Sequence, residues 1–425
     1  MLIEFSVKNF LSFKDRTTLS MEKGNGDEVL ENVIKNNITD ILKTSAIYGA
    51  NASGKSNLLK ALSCAIIMVR NSNLIPVEGH WDCIKPFLFD ENCRNEPSEF
   101  EFIFITNNIK YRYFFSADRS KIHTEILDAY YSQKPTNIFT RTKTNIYEFN
   151  SDKTKLEYLA TNNTENKLFL STATTWNYDK TKDAYLWFAT IIDTYDSFDS
   201  ITDKDLKDYS TNNELKEFAI KLLNEADILI KDMIVDYSEK EIEGQPADIL
   251  VPALLSPEGK YRVRNVNINI NIELEHTITD KNNVTRTYKL NFAEESAGTK
   301  ILFAFAPFLK RAFESTKIII IDELEKSLHP AIVEFIIKLF NNSNINKANS
   351  QLIFTTHATN LLNLEILRRD QIWFTEKNPY NGASELYPLD SFSVRKDENI
   401  AKGYINGRYG AIPFIKDIDL WQEDK

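Results

Sequence analysis

Cysteine is scarce in this chain, and long hydrophobic runs are missing from it. The cysteines among the 425 residues are Cys64, Cys83 and Cys93, and they form no CxxC pair. Their spacing argues against a cysteine-based metal cluster, and the odd count predicts reduced thiols in a cytoplasm. No stretch reaches the roughly 18 apolar residues of a membrane span. The start carries Glu4 and Lys8 where a signal peptide has an apolar core. The sequence therefore predicts a cytoplasmic protein with no membrane partner.

Excess positive charge is also lacking. The chain has 51 basic and 61 acidic residues, for a net charge of −10. Such a balance gives no general attraction to phosphate backbones, so binding of nucleic acid would need a local patch. Basic pairs such as Lys310-Arg311 and Arg368-Arg369 are scattered along the sequence. Nucleic-acid binding is therefore not evident, whereas binding of ATP needs only one suitable pocket.

Apolar periodicity divides the chain into three parts. Residues 1–171 contain alternating segments that predict an antiparallel N-terminal sheet, and a strand, a glycine-rich loop and a helix at 45–69. Residues 172–256 show apolar blocks with helical spacing, which predict an inserted helical lobe. In residues 257–425 strands alternate with helices, which favours a parallel sheet. The predicted fold class is α/β, with a mixed or antiparallel N-terminal sheet and a parallel sheet that carries the glycine loop.

The glycine loop at 49–56 reads GANASGKS and matches the pattern GxxxxGK[ST] between a strand and a helix. Its small residues allow successive backbone N–H groups to surround a phosphate, while the helix directs its positive end at the anion. Lys55 would reach the β- and γ-phosphates, and Ser56 would offer an oxygen to Mg²⁺. The loop predicts ATP and Mg²⁺ as cofactors. The predicted nucleotide-binding residues here are Gly49, Asn51, Ser53, Gly54, Lys55, Ser56 and Asn57.

A hydrophobic strand at 318–321 ends in the adjacent acids Asp322 and Glu323. Alone, this pattern fits a sheet edge that meets solvent equally well. Together with the phosphate loop it predicts that Asp322 holds Mg²⁺ and that Glu323 orients or deprotonates the attacking water.

Two more positions fit a nucleotide site. Ser296 and Gly298 lie between a strand and an apolar helix, where a hydroxyl and free amides could meet an anion. His357 follows the strand at 351–356 and could contact a γ-phosphate. The simpler interpretations are an N-cap for Ser296 and a strand-end histidine for His357. The order of these features after the phosphate loop favours the functional interpretation.

These motifs resemble the Walker A, signature, Walker B and H-loop segments of ABC-type ATPases, in the bacterial branch related to RecF and SMC heads. The segments VKNFLSF at 7–13 and GRYGAIP at 407–413 are similar to those of RloA and AbiLi type ATPases of phage-defence loci. The resemblance implies an ATPase head that works as a head-to-tail homodimer or higher oligomer. Ser296 of one subunit would then complete the site at the glycine loop of the other. The signature is SAGT rather than SGGQ, and Gln133 is a weak candidate for the Q-loop glutamine.

Two functions remain open from the sequence. The first is a nucleotide-gated regulator in antiphage defence that controls a separately encoded effector, for example a nuclease. The second is a DNA-repair or chromosome-maintenance ATPase of the RecF or SMC kind, which predicts long heptad arms or a basic face. A separate expectation concerns the C-terminal segment from Ser384 to Ile415, which is too apolar for a free tail. The simpler interpretation is packing against the sheet. The alternative is that its turn at Arg408-Tyr409, with the helical lobe, presents a surface for an effector or for self-assembly.

Overall fold

The structure is a computed structural model that describes residues 1–195, 203–241, 248–250, 260–262, 266–279, 281–326, 328–395 and 398–413. It contains α-helices together with a seven-stranded and a six-stranded sheet, which confirms the predicted α/β class. The strands are β1 Leu2–Lys8, β2 Thr17–Ser20, β3 Val33–Ile34, β4 Ile41–Leu42, β5 Thr44–Gly49, β6 Ser98–Thr106, β7 Ile109–Ala117, β8 Ile122–Tyr130, β9 Thr136–Thr142, β10 Ile146–Glu148, β11 Ile192–Tyr195, β12 Ile230–Glu241, β13 Asp248–Leu250, β14 Lys260–Arg262, β15 Val266–Thr279, β16 Thr285–Asn291, β17 Ile318–Ile321, β18 Gln351–Thr355, β19 Ile372–Lys377 and β20 Ser384–Pro388. The helices are α1 Lys55–Asn71, α2 Glu91–Asn95, α3 Lys153–Thr161, α4 Phe169–Thr175, α5 Asp179–Leu186, α6 Asp203–Thr211, α7 Asn213–Glu225, α8 Ala297–Glu314, α9 Pro330–Asn341 and α10 Ile400–Ile405.

The N-terminal sheet is antiparallel, with the strand order β10-β9-β8-β7-β6-β1-β2. The predicted hairpin at the start is present, since Glu4 pairs with Ser20 across β1 and β2. Asn107 and Asn108 both have positive φ, at 48° and 60°, in the tight turn between β6 and β7. Asparagine tolerates this left-handed conformation better than most residues do, so the turn follows from the sequence.

The second sheet has the order β11-β17-β18-β5-β19-β20, and only β20 runs antiparallel to its neighbour. Its middle strands are buried on both faces, as continuous apolar runs such as Ile318–Ile321 require. The carboxyl ends of the five parallel strands lie at one edge. The glycine loop follows β5 at this edge, and the adjacent acids follow β17.

The helical lobe predicted at 172–256 is only partly helical. Ile192–Tyr195 forms β11, the strand beside β17, and Ile230–Glu241 forms β12 in a three-stranded sheet with β15 and β16. Helix α7 ends at Glu225 because the Asn224 side chain bonds both the N–H and the carbonyl of Ile230, which turns the chain into β12. The apolar block with helical spacing predicted up to Met233 therefore ends earlier as a helix: Leu229 lies in the connection, and Ile230 and Met233 lie in β12. Residues 196–202, 242–247 and 251–256 of this segment lie outside the described residues.

The prediction of three reduced thiols is also wrong. A disulfide joins Cys64 of α1 to Cys83 in the loop after it, and Cys93 is a buried free cysteine. The pair is 19 residues apart in the sequence. Spacing could not reveal it, because only the fold of the loop at 75–90 brings Cys83 back onto α1.

The C-terminal segment packs against the parallel sheet. Tyr409 is 1% exposed and stacks on Phe374 of β19, while Arg408 is exposed and bonds Glu398. The expectation that Tyr409 presents an interaction surface is therefore wrong, and packing is the correct alternative for it. Phe414 and Ile415, which belong to the same predicted segment, lie outside the described residues. Among the helices described, none has the length and apolar character needed to cross a membrane.

Candidate functional site

The loop at 49–54 curls between β5 and α1 because its residues accept unusual backbone angles. Ala52 has a φ of 62° and Gly54 a φ of 124°. A Cβ atom on Gly54 would lie 2.5 Å from the Ser384 Oγ, so only glycine fits there. The Ser53 hydroxyl bonds the Thr375 hydroxyl of β19 at 2.6 Å, which fixes the loop to the neighbouring strand.

Lys55 lies across this loop. Its buried ammonium group donates hydrogen bonds to the carbonyl oxygens of Gly49 at 2.8 Å and Ala50 at 3.1 Å. Burial lowers the pKa of Lys55, and the carboxylates of Asp322, Glu323 and Glu325 oppose that shift. The cation is thus held at the start of α1 beside a group of three acids, where phosphate oxygens are better partners than neutral carbonyls.

Ser56 and Asp322 line the same cavity, which has a volume of about 300 Å³. The Asp322 Oδ1 accepts a hydrogen bond of 2.6 Å from the Thr355 hydroxyl, and the Asp322 N–H bonds the Tyr195 carbonyl at 3.1 Å. A hydroxyl and a carboxylate are the hard oxygen donors that Mg²⁺ prefers. Within the residues described, no group of three or more His, Cys, Asp or Glu side chains could hold a metal. Two protein oxygens completed by phosphate and water suit Mg²⁺ in particular, so the residues fit the ion.

Glu323 has an unusual backbone conformation. Its φ is 52°, in the left-handed region that residues other than glycine rarely adopt, and its side chain is exposed at the carboxyl edge. The Glu323 N–H donates a hydrogen bond of 2.7 Å to the Thr355 hydroxyl, which also bonds Asp322. Thr355 is fully buried. One threonine hydroxyl therefore fixes the two adjacent acids with respect to each other.

His357 follows β18 and reaches the same edge. Partial burial lowers the pKa of His357, and the charge of Lys55 lowers it further, whereas the charge of Glu325 raises it. The charges of Asp322, Glu323 and Glu325 raise the pKa of both Lys55 and His357, so the two side chains share these acidic neighbours. The structure thus brings Lys55, Ser56, Asp322, Glu323 and His357 to one edge of the sheet, while their roles in binding nucleotide stay predictions.

Ser296 and Gly298 lie at the start of α8, apart from this group. The Ser296 hydroxyl accepts a hydrogen bond of 3.1 Å from the Thr299 N–H and caps the helix. Near the other end of α8, the Ala312 carbonyl is bonded by Ser350 at the amino edge of the sheet, and Phe308 packs on Tyr195 at the carboxyl edge. The start of α8 therefore lies about 16 Å from Phe308 along the helix axis, at 1.5 Å of rise per residue. No hydrogen bond joins Ser296 or Gly298 to the glycine loop in the part of the chain that the structure describes.

Comparison with known proteins identifies the family. Residues 45–363 match the family described as "AAA domain, putative AbiEii toxin, Type IV TA system". This match spans more than half of the chain and includes the glycine loop, the adjacent acids and His357. The chain belongs to this family of AAA domains. Membership implies a nucleotide-binding site.

Two solved structures are similar to this AAA domain. The SMC head domain from Thermotoga maritima is 14% identical, with a TM-score of 0.40, over 91% of this chain and 98% of that one. The SmcHead bound to the C-winged helix domain of ScpA is 15% identical, with a TM-score of 0.35, over 91% of this chain and 97% of that one. No curated protein matches the sequence.

The AAA domain has site residues that the sequence did not single out. Thr355 ends β18 and contacts Asp322, and Glu325 lies two residues after Glu323 and contacts His357. These contacts become visible only when β17 pairs with β18. Gln133, the weak Q-loop candidate, lies in an exposed turn between β8 and β9. The residue that does lie beside Asp322 on the neighbouring strand is Tyr195.

Proposed function

We propose that this AAA domain binds ATP with Mg²⁺ and hydrolyses it to ADP and phosphate. The observation that carries the proposal is the meeting of Lys55, Ser56, Asp322, Glu323 and His357 at the carboxyl edge of one parallel sheet. Strands distant in the sequence supply these groups, and their chemistry matches the needs of phosphoryl transfer: a cation, two metal-binding oxygens, a carboxylate and an imidazole.

Each residue then has a role. The amides of the loop, including those of Asn51, Ser53 and Gly54, surround the phosphates, and Lys55 leaves the two loop carbonyls to pair with the β- and γ-oxygens. Asn57 lies in the first turn of α1, beside the phosphates. Ser56 and Asp322 would hold Mg²⁺, which neutralises charge on the phosphates. Glu323 orients the attacking water, and His357 bonds the γ-phosphate.

The proposed active form is a head-to-tail homodimer. The hydrogen bonds of Ser296 stay within its own helix and none joins it to its own glycine loop among the described residues, which supports a role for Ser296 and Gly298 at the glycine loop of a second copy. The amides at the start of the 18-residue helix α8 favour an anion there. Two such copies would form two composite sites, and the arrangement could grow into a higher oligomer.

The composite site has a direct test. A chain with Lys55→Ala and a chain with Ser296→Arg should each be inactive, but their heterodimer should keep one intact site, because both changes spoil the same site. Random mixing would return about a quarter of the parental activity. Isolated tandem-tagged heterodimers without activity would contradict the arrangement in trans.

The proposed biological role is control of a separately encoded effector, for example a nuclease, in antiphage defence. The family description names the AbiEii toxin and type IV toxin–antitoxin systems, which favours defence over DNA repair or chromosome maintenance. In this scheme residues 1–171 and 257–425 form the ATPase head together with β11, which is taken from the segment 172–256 because it pairs with β17 in the parallel sheet. Deletion of the domain from a host that carries the neighbouring genes should change phage plating but not survival of DNA damage.

Hydrolysis itself is tested by phosphate release. Lys55→Ala should weaken nucleotide binding, whereas Glu323→Gln should bind ATP and retain it unhydrolysed. Lys153→Ala and Glu157→Gln, at exposed positions of α3, are the matched controls. A parental rate in Glu323→Gln would refute the assignment of the catalytic carboxylate.

A further inference from the structure

Glu325 is a third acid near the site that the proposed function does not use. It lies two residues beyond Glu323, in the turn that follows β17, and is half-buried. Its Oε1 accepts a hydrogen bond of 2.5 Å from the backbone N–H of His357. The turn after Asp322 is thereby joined directly to the segment after β18.

The second carboxylate oxygen of Glu325 is the more unusual atom. Oε2 is buried and has no hydrogen-bond partner among the residues described. A buried charged oxygen without a partner costs free energy, so chain packing alone does not favour a glutamate here. A neutral residue could cap the same amide at a lower cost of desolvation.

The groups around this carboxylate belong to the nucleotide site. The charge of Glu325 raises the pKa of Lys55 and of His357, against the effect of burial on both. It also adds to the effect of burial in raising the pKa of Tyr48, whose hydroxyl donates to the Ala358 carbonyl at 3.3 Å. The charge of Glu325 therefore acts on Lys55, His357 and Tyr48 alike.

The simplest alternative is a purely structural turn. The Leu328 N–H bonds the Glu325 carbonyl at 2.9 Å, and the Lys326 N–H bonds the Glu323 carbonyl at 2.9 Å, so backbone bonds already define this turn. These bonds do not involve the Glu325 side chain. The side chain instead fixes a different segment, the one that carries the imidazole.

We propose that Glu325 is a positioning residue for hydrolysis, whose carboxylate holds the His357 backbone so that the imidazole faces the γ-phosphate. The charge-assisted bond to an amide is stronger than a neutral one and resists displacement when nucleotide enters. This inference rests on the proposed ATPase function and adds to it a residue that acts through His357 rather than on the substrate.

The kinetic test compares Glu325→Ala with Glu325→Gln. Loss of the acceptor in Glu325→Ala should lower kcat about 100-fold, the order of loss expected from a small misplacement of a catalytic group. The dissociation constant of a fluorescent ATP analogue should stay close to the parental value, because Lys55 and the loop are intact. Glu325→Gln restores an oxygen acceptor and should recover part of kcat. Glu385→Ala, at an exposed position of β20, is the matched control.

A direct readout of the contact is the His357 amide. The chain has five histidines, so selective ¹⁵N-histidine labelling gives a spectrum with five amide peaks, and His357→Gln identifies the relevant one. Its proton should move upfield in Glu325→Ala and return towards the parental position in Glu325→Gln. The peaks of the other histidines should stay in place.

The outcomes separate the two proposals. A parental chain that does not hydrolyse ATP refutes the proposed function, whatever the amide spectrum shows. Given a parental chain that hydrolyses ATP, a parental kcat in Glu325→Ala overturns the present inference alone. A lowered kcat in Glu325→Ala together with an unshifted His357 amide peak also overturns it. The same holds if Glu325→Gln has the low kcat of Glu325→Ala although its His357 amide peak has returned to the parental position.

Discussion

Replacing Thr355 by valine tests how the two adjacent acids are held. The change is nearly isosteric and removes one hydroxyl from a fully buried position. That hydroxyl accepts from the Glu323 N–H at 2.7 Å and donates to the Asp322 Oδ1 at 2.6 Å. Valine therefore leaves a backbone donor and a carboxylate oxygen without this partner, at a cost of about 1–3 kcal/mol for a buried unsatisfied group.

The larger effect should appear in catalysis. Glu323 holds a left-handed backbone conformation that is costly by itself, and its N–H bond to Thr355 is one of the contacts that maintain it. Without the hydroxyl the acids should lose their relative position, so kcat for phosphate release should fall about 100-fold. Thr355→Ser keeps the hydroxyl and is the matched control. A Thr355→Val chain that melts near the parental temperature and hydrolyses ATP at the parental rate would refute this account of the acids.

Three further changes probe the loop, the N-terminal sheet and the C-terminal segment. Gly54→Ala should abolish binding of a fluorescent ATP analogue without unfolding the chain, because a φ of 124° is strained for alanine. Tight binding of the analogue by a folded Gly54→Ala chain would contradict the role given to the loop conformation. Arg141→Met should lower the free energy of unfolding by about 3–5 kcal/mol, measured by urea titration. Glu125 lies 3.7 Å from Arg141, both side chains are fully buried, and the substitution removes the counter-charge of Glu125. Adding Glu125→Leu should recover part of the lost stability. Tyr409→Ala should lower the free energy of unfolding by about 3–5 kcal/mol, because it removes a buried aromatic ring. Arg408→Ala should change the free energy of unfolding by less than about 1 kcal/mol, because this side chain is exposed. Equal effects of the two substitutions would contradict the packing of Tyr409.

The parallel sheet and its phosphate loop could be predicted because their signals are local. The apolar run at 318–321 and the glycine loop at 49–54 each specify a structure within a few residues of sequence. The parts that were wrong depend on distant partners. Ile192–Tyr195 is a strand because β17 pairs with it, over 100 residues later, and four residues carry too little periodicity to show this.

The candidate site likewise contains residues that sequence patterns predict and residues that only the fold reveals. Lys55, Ser56, Asp322, Glu323 and His357 occur in recognisable patterns, and the structure brings them together. The contacts that orient them belong to residues without a pattern. Thr355 gains its contacts with the two acids only through the pairing of β17 with β18, which its own sequence surroundings do not indicate. The disulfide between Cys64 and Cys83 likewise depends on how a loop returns to α1.

The geometry of the candidate site finally depends on the register of β18. Ile321 pairs with Phe354 and Ile47 with Thr355, so Thr355 lies level with the first of the two acids on one side and with β5, two residues before the glycine loop, on the other. At the opposite end of β18, the fully buried Gln351 side chain bonds the Leu2 N–H at 2.6 Å and the carbonyls of Leu2 and Leu42 at 3.0 Å. A slip of one residue would break these bonds and turn the Thr355 hydroxyl to the other face of the sheet. The hydrogen bonds that fix β18 against the N-terminal sheet therefore also set the distance between the acids and the hydroxyl that orients them.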